Sequence, residues 1–261
     1  MPAPYPTPML AVILGASRFP EAPNLTAGRQ FMNSAADVEE YVKSENRGLA
    51  VPGDNVLYLF DDSRSGGDQV SAIGKFLAKK CPRIADKDGG PEDLLVYYVG
   101  HGLFTRGDEH AYCLAVRSTE EINVGGTSIR ASDLASTIKE NAPFLRRYLI
   151  LDCCFSARAY CEFMGAPLTA ASEQLREQFP DSGTALLCSS SAGDVSLAPV
   201  GRSHTMFTGA LIKALQQGDR RCGPRRSLSE VGVLVERRPL TGHVGHTPIS
   251  SAWKLWGCSA R

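Results

Sequence analysis

Apolar runs alternate with polar stretches of helical spacing along this chain. Met9–Gly15 (MLAVILG) is continuously apolar and closes on glycine, the pattern of a strand buried on both faces. Residues 27–43 set Phe31, Ala35, Val38 and Val42 at helical spacing. A second strand is predicted over 55–60 (NVLYLF). It is followed by a polar loop over 61–67 (DDSRSGG) and a helix over 68–80 with Val70, Ile73, Phe76 and Leu77 on one face. Residues 93–99 (DLLVYYV) read as a third strand that runs into Gly100, His101 and Gly102, and 111–116 as a short hairpin strand. A helix is predicted over 129–141, with Ser132 as its candidate cap and Leu134 and Ile138 inward. The fourth strand, 147–152 (RYLILD), leads directly into Cys153 and Cys154. Beyond it lie a long polar segment over 158–182, a strand over 184–189, helices over 205–217 and 228–237, and an edge strand over 253–256.

Strand–helix alternation of this kind predicts an α/β fold, a mostly parallel sheet with helices on both faces. Residues 1–8, four of them proline, read as an extended tail, and 9–261 as one domain. In such sheets ligands bind beyond the carboxyl ends of the strands. His101 and Cys154 each follow a predicted strand, so both are expected on the same rim.

Composition narrows the function classes. Hydrophobic residues are 43% and charged residues 21% of 261, which excludes disorder from low hydropathy. Lys plus Arg and Asp plus Glu are both 28, so nothing in bulk charge attracts nucleic acid or an anionic membrane. No apolar run approaches the roughly 20 residues of a membrane helix, and MPAPYPTP lacks the basic start of a secretion signal. The eight cysteines form no CxxC pair, and Cys113, Cys153 and Cys188 lie inside apolar runs. Free thiols packed as small hydrophobes, in a reducing cytoplasm, are expected.

A thiol attacks a carbonyl as its thiolate, and a nearby imidazole favours that form. Cys154 past one strand end and His101 past another supply the pair. Glycine on both sides of His101 would let a substrate backbone approach closely. The backbone N–H groups of Gly102 and Cys154 are the natural donors to the oxyanion.

These residues carry a family resemblance. YYVGHG (97–102) resembles the strand-then-His-Gly motif of caspases, metacaspases and their bacterial relatives, and LILDCCFSA (149–157) is similar to the Asp-x-Cys-x-Ser-Gly motif of metacaspases and bacterial caspase-like peptidases. GASRF (15–19) matches the turn after the first strand, and CSSSAGD (188–194) the loop after the strand that follows the cysteine. Ala157 departs from the usual glycine, one small residue for another. Counting from Asp152, the motif assigns the nucleophile to Cys154 and the variable position to Cys153. The resemblance implies the caspase-haemoglobinase fold and peptide-bond hydrolysis through a His101–Cys154 dyad, without metal or cofactor.

The resemblance also implies a pocket for the side chain before the cut bond. There Asp152, with Asp194 and Ser17, would select Arg or Lys. Asp152 could instead cap a helix or orient loop backbone. Arg18 could build a basic pocket for Asp, the runner-up specificity. The implied partners are a protein or peptide substrate and an activator, either a partner protein or a small signalling nucleotide; calcium and self-cleavage, best after Arg176, are further routes. A regulated effector in bacterial defence, cell death or signalling is the expected role. A non-catalytic sensor or scaffold of the same fold is the rival. Residues 86–90 (DKDGG) fail the calcium-loop pattern, and His243, His246 and Cys258 match no zinc spacing. There is no GxSxG elbow and no P-loop.

Overall fold

The apolar runs pair with one another. In a computed structural model, which describes residues 9–81, 91–106, 111–155, 184–189, 202–217 and 255–256, they form one sheet. Its strands are β1 (Met9–Gly15), β2 (Val56–Phe60), β3 (Asp93–Phe104), β4 (Tyr112–Leu114), β5 (Ile129–Arg130), β6 (Arg146–Phe155), β7 (Thr184–Cys188) and β8 (Leu255–Trp256). The order is β2-β1-β3-β6-β7-β8; the first five are parallel, and β8 runs antiparallel at the edge. β4 pairs antiparallel with β3, and β5 with β4. The helices are α1 (Arg29–Lys43), α2 (Gly66–Lys80), the single turn α3 (Val124–Thr127), α4 (Ala131–Asn141) and α5 (Met206–Gln217).

Burial on both faces explains why β1 is apolar at successive positions. Leu10, Val12 and Leu14 meet Val70, Ile73 and Leu77 of α2, and Leu134 and Ile138 of α4, on one face. Ala11 and Ile13 share the other face with Phe31, Ala35 and Val38 of α1 and Phe207 and Leu211 of α5. Each fully buried Val, Leu or Ile contributes about 1.5–3 kcal/mol. A charge at Val12, which has no exposed surface, would therefore break the sheet at its centre.

Three local expectations change. Helix α2 starts two residues early, because Ser65 caps it: its Oγ accepts from Asp68 N at 3.1 Å and donates to Asp68 Oδ2 at 2.7 Å. Ser132 caps nothing. Ile129 and Arg130 pair with β4 as β5, so α4 starts at Ala131 with Ser132 already in its first turn, where Oγ reaches Asp133 Oδ1 at 3.3 Å. The third and fourth strands also run past 99 and 152. β1 ends at Gly15 opposite Val99, and β4 takes over that edge of β3. β3 and β6 stay paired as far as Gly102 and Phe155. The long segment over 158–182 and the helix over 228–237 lie outside the described residues, as does the tail over 1–8.

Candidate active site

His101 and Cys154 do not follow strand ends; they sit within β3 and β6 and are each other's register partners. Neighbouring strands lie about 4.8 Å apart, so the two backbones meet side by side at the same phase of the pleat. The neighbouring pair, Gly100 and Cys153, has the opposite phase. Cys153 is fully buried on the α2–α4 face, with its Sγ 3.1 Å from the Tyr112 hydroxyl. His101 takes the α1–α5 side, its ring edge-on to Phe31 at 5.3 Å and tilted against Phe19 at 5.2 Å.

The loop between β1 and α1 closes over the imidazole. It turns on Ala22 N to Phe19 O and Leu25 N to Ala22 O, is tied at its base by Gly28 N to Ser17 O, and packs Ala16, Phe19 and Ala22 against Ala115. The fold of this loop brings the Thr26 carbonyl to 2.8 Å from His101 Nε2. A carbonyl can only accept, so Nε2 carries the hydrogen and Nδ1 keeps its lone pair in the neutral ring. Burial pushes the imidazole pKa below its ordinary value, with the Thr26 bond acting in the opposite sense. In the neutral ring one nitrogen is thus anchored and the other keeps a lone pair that could take a proton.

The glycines beside His101 serve packing. A Cβ at Gly100 would stand 2.7 Å from the Tyr98 hydroxyl, and one at Gly102 would stand 3.0 Å from Tyr112 Cε2 and nearer still to its hydroxyl. The Tyr98 hydroxyl reaches the carbonyls of His101 and Ala115, both at 2.8 Å, and so bolts the strand from beneath. The requirement for glycine that the packing shows is set by these tyrosines, on the face away from the His101 ring. Gly102 itself is paired with Phe155 on one side and Leu114 on the other.

Asp152 shares the phase of His101 and Cys154 and is 4% exposed. Its Oδ2 accepts from the hydroxyls of Thr205 and Thr208, and its Oδ1 from Ser189 Oγ at 3.3 Å. Burial raises its pKa, and these hydroxyls oppose that shift. Ser17 turns elsewhere, donating from N and Oγ to the Asp61 carboxylate at 2.7 and 2.6 Å. Arg18 is exposed. Asp194 and Arg176 lie outside the described residues, as do 86–90, His243, His246 and Cys258. Sequence reasoning missed the Thr26 carbonyl, for a backbone group has no signature in sequence. It also missed the threonines. Thr205 and Thr208, three apart at the start of a helix, did carry a capping signal.

Among the described residues no helix is long and apolar enough to cross a membrane. The family model described as the caspase domain matches residues 67–247, a stretch that includes both β3 and β6. No curated protein matches the chain. A crystal structure of a protein from Geobacter sulfurreducens is similar in fold, with a TM-score of 0.54 and 18% identity over 95% of this chain and 92% of that one.

Proposed function

Because the chain belongs to the caspase-domain family, we propose that it is a cysteine endopeptidase with Cys154 as nucleophile and His101 as base. The observation that carries this reading is the register pairing of His101 with Cys154, beside an imidazole whose Nε2 is committed to Thr26. His101 Nδ1 takes the thiol proton as Sγ bonds to the scissile carbonyl carbon. The carbonyl electron pair moves to oxygen, where the N–H groups of Gly102 and Cys154 donate to it. The C–N bond then breaks, and the amine leaves with the proton held by His101. Water adds to the thioester, the S–C bond breaks, and the acid product leaves with the thiol restored.

The residue before the cut bond is the finer question. Asp152 and Asp194 would suit Arg or Lys, and Arg18 would suit Asp. The role we propose is that of a regulated effector in bacterial defence, cell death or signalling, switched on by a partner protein or a small signalling nucleotide. The test of the chemistry is hydrolysis of fluorogenic peptides by the wild type and by Cys154→Ala, with mass-spectrometric mapping of a peptidyl acyloxymethyl ketone. Turnover lost in the variant, and the label found on Cys154, support the reading. A wild type that neither turns over nor takes the label overturns it and favours a sensor or scaffold.

A further inference from the structure

The carboxylate two residues before the nucleophile is the meeting point of five elements. Thr205, the residue before α5, and Thr208, in its opening turn, both donate to Asp152 Oδ2. Their own oxygens are then free to accept. Thr208 N donates to Thr205 Oγ at 3.1 Å, which caps the helix, and the Tyr97 hydroxyl of β3 lies 2.6 Å from Thr208 Oγ. Thr208 spends its proton on Asp152, so the Tyr97 hydroxyl donates to it. On the other side Thr205 N donates to Ser34 Oγ of α1 at 3.1 Å, and Ser34 Oγ lies 3.3 Å from Thr205 Oγ and donates to it by the same count. Ser189, just past β7, divides its proton between Asp152 Oδ1 at 3.3 Å and Cys153 O at 3.2 Å. The donors therefore run inward from α1, β3, α5 and the end of β7, and end on one buried acceptor.

Charge-assisted bonds of this kind are the strong ones, and a buried carboxylate is tolerated only when so supplied. An arginine from a substrate could pair with both carboxylate oxygens only by displacing the hydroxyls already on Oδ2, and any cation would have to enter a site that is almost fully buried. Loss of the carboxylate would free the first turn of α5 and release the stretch of β6 that leads into Cys154.

We propose that Asp152 is a positioning residue: it anchors α5 to the end of β6 and thereby sets the nucleophile, and it does not read the side chain before the cleaved bond. Selection of that side chain then belongs to other residues, Asp194 for a basic side chain or Arg18 for an acidic one. The claim about anchoring stands on the network alone; the claim about specificity rests on the peptidase reading above.

The test uses the full chain with Asp152→Asn and, because that variant could fold poorly, Thr208→Val. Peptides identical except for Arg, Lys, Asp or Leu before the cut bond are hydrolysed, with kcat referred to titrated active sites. Alkylation of Cys154 by iodoacetamide and amide hydrogen exchange over 205–209 are followed in parallel. We expect kcat to fall about tenfold or more on whichever peptides the wild type cleaves, by a common factor and with KM little changed, as loss of a charge-assisted hydrogen bond implies. Cys154 alkylation should change in both variants, and the amides of Thr208 and Gly209 should exchange faster. A loss confined to Arg and Lys peptides and expressed in KM, with exchange and alkylation unchanged, would overturn the proposal and return Asp152 to the pocket. If the wild type cleaves no peptide, the peptidase reading fails and the exchange arm decides alone: faster exchange supports the anchor, and unchanged exchange rejects it.

Discussion

The two faces of the sheet at the ends of β3 and β6 are built for different purposes from neighbouring residues. Towards α2 and α4, Gly100, Gly102 and Cys153 meet the rings of Tyr98 and Tyr112. Towards α1 and α5, the phase of His101, Cys154 and Asp152 meets the loop bearing Thr26 and the hydroxyls of α5. A strand turns its residues alternately to either side. A motif such as Gly-His-Gly therefore interleaves two faces, one packed against tyrosines and one turned to the loop that bears Thr26. The adjacent cysteines occupy opposite phases of the pleat.

The largest effect expected on this division is at the cysteines. Cys154→Ala should remove turnover by at least about a thousandfold, since a covalent step loses its nucleophile. Cys153→Ala should keep most of the turnover and cost about 1 kcal/mol of stability from lost packing around a buried thiol. Peptide hydrolysis and urea unfolding of both variants check this pair. Turnover that survives at Cys154→Ala and vanishes at Cys153→Ala, in folded protein, would exchange the two faces.

Next in size is the imidazole. His101→Gln keeps a polar group against Phe19 and Phe31 but removes the base, and general-base loss is worth about a hundred- to ten-thousandfold in kcat. A variant that still unfolds in one cooperative urea transition would assign the loss to chemistry. Substantial turnover in the variant would point to another base, His204 being the alternative, although it is already paired with Asp37 at 2.8 Å.

The glycine face is tested through stability. Gly102→Ala drives a methyl into the Tyr112 ring and hydroxyl, an overpacking worth about 1–3 kcal/mol. Tyr112→Phe removes the nearest atom, so the double variant should recover part of that loss. A double-mutant cycle in urea reads the coupling, and additive losses would mean that Gly102 serves something other than Tyr112.

Much of this arrangement is legible in the sequence. β1, α1 and α2 follow from apolar spacing alone, and the strand-end reading brought His101 and Cys154 together, although they pair within the strands and not beyond them. The reach of β3 through 104 was hidden because Gly100, His101 and Gly102 interrupt the apolar run, and only pairing with β4 and β6 shows that the strand goes on. Ser132 misled because a serine near a helix start is a cap only if the backbone turns there, and β5 moves that turn upstream. The pull of Thr205 and Thr208 on Asp152 joins residues about fifty apart in sequence, a tertiary choice that helix-cap chemistry cannot predict by itself.

The smallest effect is a matter of pH, and it separates the buried His101 from an ordinary exposed histidine. Burial lowers its pKa from 6.5, and the Thr26 carbonyl offsets that only in part. The neutral ring is the form that can take the thiol proton, so the acid limb of kcat/KM that reports His101 should have its midpoint below about 6.5. The sign for stability follows from the same shift. With the folded pKa below the unfolded one, the unfolded chain binds more protons between the two values. His101 therefore contributes its full stabilisation above about 6.5, and that contribution declines as pH falls towards the folded pKa. His101→Gln cannot titrate, so the difference in unfolding free energy between the two proteins should shrink over that interval and level off below it. Urea unfolding of both across the range measures the difference. A stability difference that instead grows on acidification would mean that the ring is held protonated, as the imidazolium of a preformed ion pair with Cys154, and the neutral-base account of the site would have to be given up.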